Sequence, residues 1–208
     1  MGRCFRSRTK ESPDLRAAAQ LSSRRSIRPV TFTALLSLIV ATGLRVSEAL
    51  KLHLSDITQE GLLIRATKFQ KSRLVPLHES ARWGLKQYLA ISKRISTTSP
   101  NVFVSKRGAG LPYSAVNATF LYVARSAGLR PGPGQGGCRI HDVRHTFAVR
   151  SLEQCSGDRK AVARHISALS TYLGHTHVSD TYWYLQATPK LLSDVAAVAE
   201  ALYRGGDR

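Results

Sequence analysis

Acidic residues are scarce in this chain. Thirteen Asp and Glu stand against 31 Lys and Arg, which leaves a formal charge of +18 over 208 residues. Such an excess draws in a polyanion, and counterion release from phosphates would supply much of the affinity. The basic residues are scattered and form no amphipathic anchor, so nucleic acid is favoured over a membrane surface. Cysteine is scarce too: Cys4, Cys138 and Cys155 are an odd number without paired spacing. That argues against a disulfide framework and suits a reducing compartment. Long apolar runs are missing, since the longest, residues 33–41, is broken by Ser37 and is far too short to span a bilayer. The first residues are charged throughout and hold no apolar signal core. The expectation is a soluble intracellular protein with no membrane partner. With 43% hydrophobic and 21% charged residues, the chain has the composition of a globular domain with one good core.

What is present has a clear order. Residues 1–28 are basic and Ser-rich without sustained period, and read as a flexible arm ahead of a single domain over 29–208. Phe32, Leu35, Leu36, Ile39 and Val40 recur at helical spacing and predict a helix over 31–41, followed after Gly43 by a short one over 46–52. Ile57, Leu62 to Ile64, and Leu74 with Val75 predict a small antiparallel three-stranded sheet, with Lys68 near the turn between its last two strands. Further helices are predicted over 80–91, 114–127, 141–154, 161–173 and 189–203. The Pro- and Gly-rich stretch 131–137 cannot hold a helix or strand and reads as a mobile connector. The class is α+β, mostly helical with a small antiparallel sheet.

Several polar residues in this frame could carry chemistry. Arg45 and Glu48, at i and i+3, share a helix face. They form either a surface ion pair or a phosphate-binding Arg whose fork a carboxylate holds. His141 and Arg144 repeat that spacing on one polar face, with core or capping roles as the alternative, while His145 faces elsewhere and reads as structural. Lys68 clusters with Lys71 and Arg73. The cluster is a basic turn touching DNA backbone, or presents Lys68 as a partly desolvated proton donor. His175 follows Leu173 and Gly174 at a helix end, where it could simply compensate the dipole. Tyr184 lies in the aromatic run Tyr182-Trp183-Tyr184. Cys138, His141 and His145 have ligand-like spacing, but no second carboxylate or Cys pair completes a shell, so no metal site is expected.

The strings Ala41-Thr-Gly-Leu-Arg-Val-Ser-Glu48, His141-Asp-Val-Arg-His-Thr-Phe-Ala148, and Leu173-Gly-His175 with Tyr184 nine residues beyond resemble the catalytic domain of the tyrosine recombinases, the phage integrase family. The resemblance runs from about Pro29 to Leu192 and rests on agreement in sequence, order and spacing. It implies a tyrosine nucleophile at Tyr184 surrounded by Arg45, Arg144, Lys68, His141, His175 and Glu48, with Lys71 and Arg73 on DNA. The activity it implies is site-specific recombination or integration through a covalent 3′-phosphotyrosyl intermediate, with neither metal nor ATP nor other cofactor. A phenol with a pKa near ~10 needs help to attack a phosphodiester. Two guanidiniums would stabilise the pentacoordinate phosphorus. Lys68 would protonate the departing 5′-oxygen, His141 would shuttle the tyrosine proton, and His175 would hydrogen-bond the phosphate.

The resemblance also implies double-stranded DNA as partner, a homo-tetramer on paired sites, and a bacterial, cytoplasmic, nucleoid-associated location. In the tetramer the apolar stripe Leu191, Val195, Val198, Ala199 and Leu202 would dock into a neighbouring subunit. Family members usually carry a helical core-binding domain ahead of the catalytic one, and here only the short basic arm stands in its place. A non-catalytic DNA-binding remnant, a protein dependent on a partner recombinase, and a type IB-like topoisomerase therefore remain as alternatives.

Overall fold

The computed structural model of the chain describes residues 27–65, 72–93, 99–132, 135–155, 159–177, 179–182 and 184. Its elements are α1 (Arg28–Thr42), α2 (Val46–Leu50), a 3-10 turn (Leu54–Asp56), β1 (Gly61–Ile64), β2 (Arg73–Pro76), α3 (Glu79–Ser92), α4 (Tyr113–Ser126), α5 (Ile140–Glu153), α6 (Arg159–Leu173) and α7 (Ser179–Tyr182). They divide into two compact units, Met1–Arg144 and His145–Arg208.

In the first unit, α1 opens with Pro29 in its first turn, where the missing N–H has no helical partner to lose. Its Phe32, Leu35, Leu36 and Ile39 are buried, and α1 packs against α3. The helix ends at Gly43, whose backbone is left-handed at φ 63° and whose N–H closes the last turn on the Ile39 carbonyl at 2.8 Å. An L-residue in that conformation would cost about 1–2 kcal/mol, so glycine lets the chain turn at once into α2. Tyr88 of α3 stacks on Phe103 at 5.4 Å, and its hydroxyl accepts from the Val104 N–H at 3.1 Å.

The sheet has two strands among the described residues, not the three expected. β1 and β2 are antiparallel, with Leu62 opposite Val75 and Ile64 opposite Arg73. Ile57 contributes only an isolated bridge to Leu62. The reason is local. Asp56 caps the 3-10 turn through the His53 N–H, and the Thr58 N–H and hydroxyl both donate to the Gly61 carbonyl. The chain thus doubles back before a third strand can extend.

The described residues of the expected connector, 131–132 and 135–137, hold no helix or strand, as their composition requires, and Arg130 donates to the carbonyls of Gln135, Gly137 and Cys138 at 3.0–3.1 Å. Cys155 is a free thiol.

The second unit is built on the later turns of α5, on α6 and on α7. Ala148, Leu152, Ile166, Leu169, Leu173 and Tyr184 form its core. Phe147 stacks on Tyr172 at 5.6 Å. Residues 1–26 of the arm expected over 1–28, Lys68, Lys71 and the helix expected over 189–203 lie outside the described residues, and Arg28 already belongs to α1. No helix among the described residues is long and apolar enough to cross a membrane.

Candidate active site

The corner between α1 and α2 gathers three arginines of the first unit, Arg45, Arg73 and Arg144. Arg45 precedes α2, and Glu48, in its first turn, reaches back to it twice. The Glu48 carboxylate accepts the Arg45 N–H at 3.0 Å and its Nη1 at 2.9 Å. That satisfies one of the orphan donors at the helix start and fixes the guanidinium at the same time. Arg73 of β2 adds a second fork, with Nη1 to Oε1 at 3.1 Å and Nη2 to Oε2 at 2.8 Å. Burial alone would raise the Glu48 pKa. Arg73, through its hydrogen bonds and charge, and Arg45, through its N–H and guanidinium, outweigh that and hold the carboxyl below its ordinary value. Glu48 is therefore ionised.

Arg144, on α5, is 2% exposed, which a cation tolerates only if its donors are met. Its Nη1 donates to the Gly43 carbonyl at 2.8 Å. Gly43 and Arg45 are two residues apart, at most about 7 Å along the chain, so Arg144 is anchored beside Arg45. His141 lies one turn before Arg144 at the surface. Its pKa is lowered, first by desolvation and then by the charges of Arg144, Arg45 and Arg139, with Asp142 pulling the other way. A neutral imidazole beside two guanidiniums can accept a proton near neutral pH.

The second unit holds the candidate nucleophile. Tyr184 is 4% exposed, and its ring lies parallel to that of His175, with centroids 6.0 Å apart and planes at 17°. His175 owes its place to the end of α6. Gly174 is left-handed at φ 68°, its N–H bonds the Thr171 carbonyl, and the His175 N–H bonds the Ser170 carbonyl, both at 3.0 Å. This double closure is the Schellman motif, and it delivers His175 at a fixed point just past the helix. Its Nδ1 pairs with the Thr181 hydroxyl of α7 at 2.8 Å. His145 also packs against the phenol, with ring centroids 5.3 Å apart and planes tilted at 57°.

Of the seven residues expected to carry the reaction, the structure groups Arg45, Glu48, His141 and Arg144 in the first unit and His175 with Tyr184 in the second. Lys68 falls outside the described residues, as does Lys71. Arg73, expected on DNA, has its guanidinium on Glu48. Sequence reasoning missed the pairing of Arg73 with Glu48, the contact of His145 with Tyr184, and the hydroxyl of Thr181 on His175. No group of three or more His, Cys, Asp or Glu among the described residues is arranged to hold a metal ion.

The provisionally named integrase/recombinase y4rB of Sinorhizobium fredii is 39% identical over 177 residues, covering 83% of this chain and 56% of the relative. The tyrosine recombinase XerD of Listeria innocua is 30% identical over 167 residues, covering 78% of this chain and 52% of the relative. Among solved structures, the XerH site-specific recombinase bound to palindromic difH substrate in a post-cleavage complex superposes with a TM-score of 0.69 at 23% identity. That match covers 90% of this chain and 51% of the other. The mostly helical fold is thus shared, and the chain spans about half the length of the relatives it matches. The sequence profile described as the phage integrase family matches residues 9–190, and the chain belongs to that family.

Proposed function

We propose that this chain is the catalytic portion of a site-specific DNA recombinase that breaks and rejoins strands through Tyr184. The observation that carries the reading is the setting of the phenol, packed against two imidazoles, with His175 tied to Thr181. The clustered Arg45 and Arg144 support it, because two anchored guanidiniums suit the charge that builds on a phosphodiester under attack. In the reaction Tyr184 Oη attacks phosphorus, forming a 3′-phosphotyrosyl bond as the 5′-oxygen leaves. Arg45 and Arg144 hold the non-bridging oxygens, neutral His141 takes the phenolic proton, His175 hydrogen-bonds the phosphate, and Lys68 returns a proton to the leaving group. A hydroxyl from another strand then reverses the step. Neither ATP nor a metal enters this scheme. The +18 charge supports double-stranded DNA as the partner. We place the activity in the bacterial cytoplasm and expect a tetramer on paired sites.

The test uses nicked duplexes drawn from a random-sequence pool, which trap the intermediate when the short strand beyond the nick diffuses away. Wild-type protein should form a denaturant-resistant adduct that Tyr184→Phe abolishes. An adduct that survives in Tyr184→Phe, or maps to Tyr182, would refute the assignment. Tight binding without an adduct on any member of the pool would favour a non-catalytic DNA-binding protein.

A further inference from the structure

Strand β2 carries an arginine where its pattern calls for a core side chain. Arg73 stands opposite Ile64 in the ladder, on the face shared by Leu62 and Val75, all three of them buried. The next residue, Leu74, points to the other face and is 42% exposed. The usual alternation is inverted, with the apolar side chain out and the cation in. A guanidinium on a core face needs its charge met, and Glu48 meets it with a two-pronged pair at 3.1 and 2.8 Å. The Arg73 side chain is only 12% exposed, against 33% for that of Arg45, which shares the same carboxylate.

We propose that Arg73 is a positioning residue for Arg45 and not itself a DNA contact: it holds Glu48 so that the carboxylate orients the Arg45 guanidinium while leaving it charge to spend on a phosphate. The electrostatics require a third party. Arg45 and Glu48 alone make a neutral pair, in which the carboxylate competes with phosphate for the guanidinium. Two guanidiniums on one carboxylate leave one net positive charge, and Arg45, the more exposed of the two, presents it. The inference rests on the recombinase reading and deepens it at Arg45.

The test separates binding from chemistry. Arg73→Gln is compared with wild type in two measurements: the salt dependence of binding to a random-sequence duplex, and the single-turnover rate of adduct formation at saturating nicked DNA. A positioning role lowers the rate by about 10²-fold, the scale of a small misplacement of a catalytic group, and leaves the salt slope unchanged when Arg73→Gln is added to an Arg45→Gln background, where there is no Arg45 charge to free. A phosphate contact at Arg73 itself lowers the slope by about one in that background too. A slope that falls in the Arg45→Gln background, or an unchanged rate in the otherwise wild-type protein, overturns the proposal. Arg73→Lys, which keeps the charge and cannot form the fork, carries the rate measurement if Arg73→Gln does not fold, and a wild-type rate there likewise overturns the proposal. In the double variant Glu48→Gln/Arg73→Gln, where no carboxylate is left to compete for Arg45, the rate should recover part of the loss. A wild-type protein that forms no adduct would defeat the recombinase reading, and the salt slope, which needs binding alone, would still decide whether Arg73 touches phosphate.

Discussion

Arg144 donates its Nη1 to the carbonyl of Gly43 at 2.8 Å, joining residues 101 positions apart in the sequence. The acceptor is a backbone oxygen, and its direction is fixed by the left-handed turn at Gly43. One arginine is therefore aimed by the backbone just ahead of the other.

That dependence predicts the effect of a single methyl group. Gly43→Ala forces an L-residue into the left-handed region, so stability should fall by about 1–2 kcal/mol. It should also slow adduct formation, because any relaxation of the turn moves the oxygen that holds Arg144. Denaturant unfolding gives the first quantity and single-turnover cleavage the second. A variant as stable and as fast as wild type would show that the turn aims nothing.

His141 supplies a pH prediction. Desolvation and Arg144 lower its pKa below the ordinary imidazole value of 6.5. The neutral form should persist to more acidic pH than in an unstructured peptide, and the acid limb of the cleavage profile should shift down with it. Stability follows the same sign. Between the folded and unfolded pKa values the unfolded chain binds more protons, so this contribution is intact above pH 6.5 and is lost as pH falls through the folded value. An NMR titration of the His141 ring checks it, and a midpoint at or above 6.5 would contradict the geometry.

Thr181→Val tests the orientation of His175. The valine nearly preserves shape and removes the hydroxyl that pairs with Nδ1. A hydrogen bond of this kind is worth about 1 kcal/mol net, or roughly fivefold in rate. The cleavage rate should fall by that factor while DNA affinity holds. Equal losses in affinity and rate would assign the hydroxyl to DNA binding instead.

Much of this was legible in the sequence. The helices from α1 through α6 follow from apolar spacing to within a few residues, because each buries a continuous stripe. Gly43 and Gly174 read directly as helix ends, since few other residues accept their backbone angles. The polar strings around Arg45, His141 and His175 stand out because no core or cap accounts for all of them together. Other features were hidden for physical reasons. A third strand at Ile57 was expected from local apolar character, but pairing depends on turn hydrogen bonds that composition does not reveal. The pairing of Arg73 with Glu48 was hidden because a basic residue among basic residues suggests solvent, whereas its direction is set by its register opposite Ile64. His145 and Thr181 gave no signal, because their meaning depends on which aromatic and imidazole rings folding brings beside them.

The environment of Glu48 limits what it can do in any reaction here. A carboxylate offers about four acceptor positions, and four donors from Arg45 and Arg73 already reach its two oxygens. To take up a proton it would first have to release one of them and strand a cation. Glu48 is thereby removed from proton traffic and serves as a fixed anion, so that in the proposed reaction nitrogen bases are left to carry the hydrogen released at Tyr184.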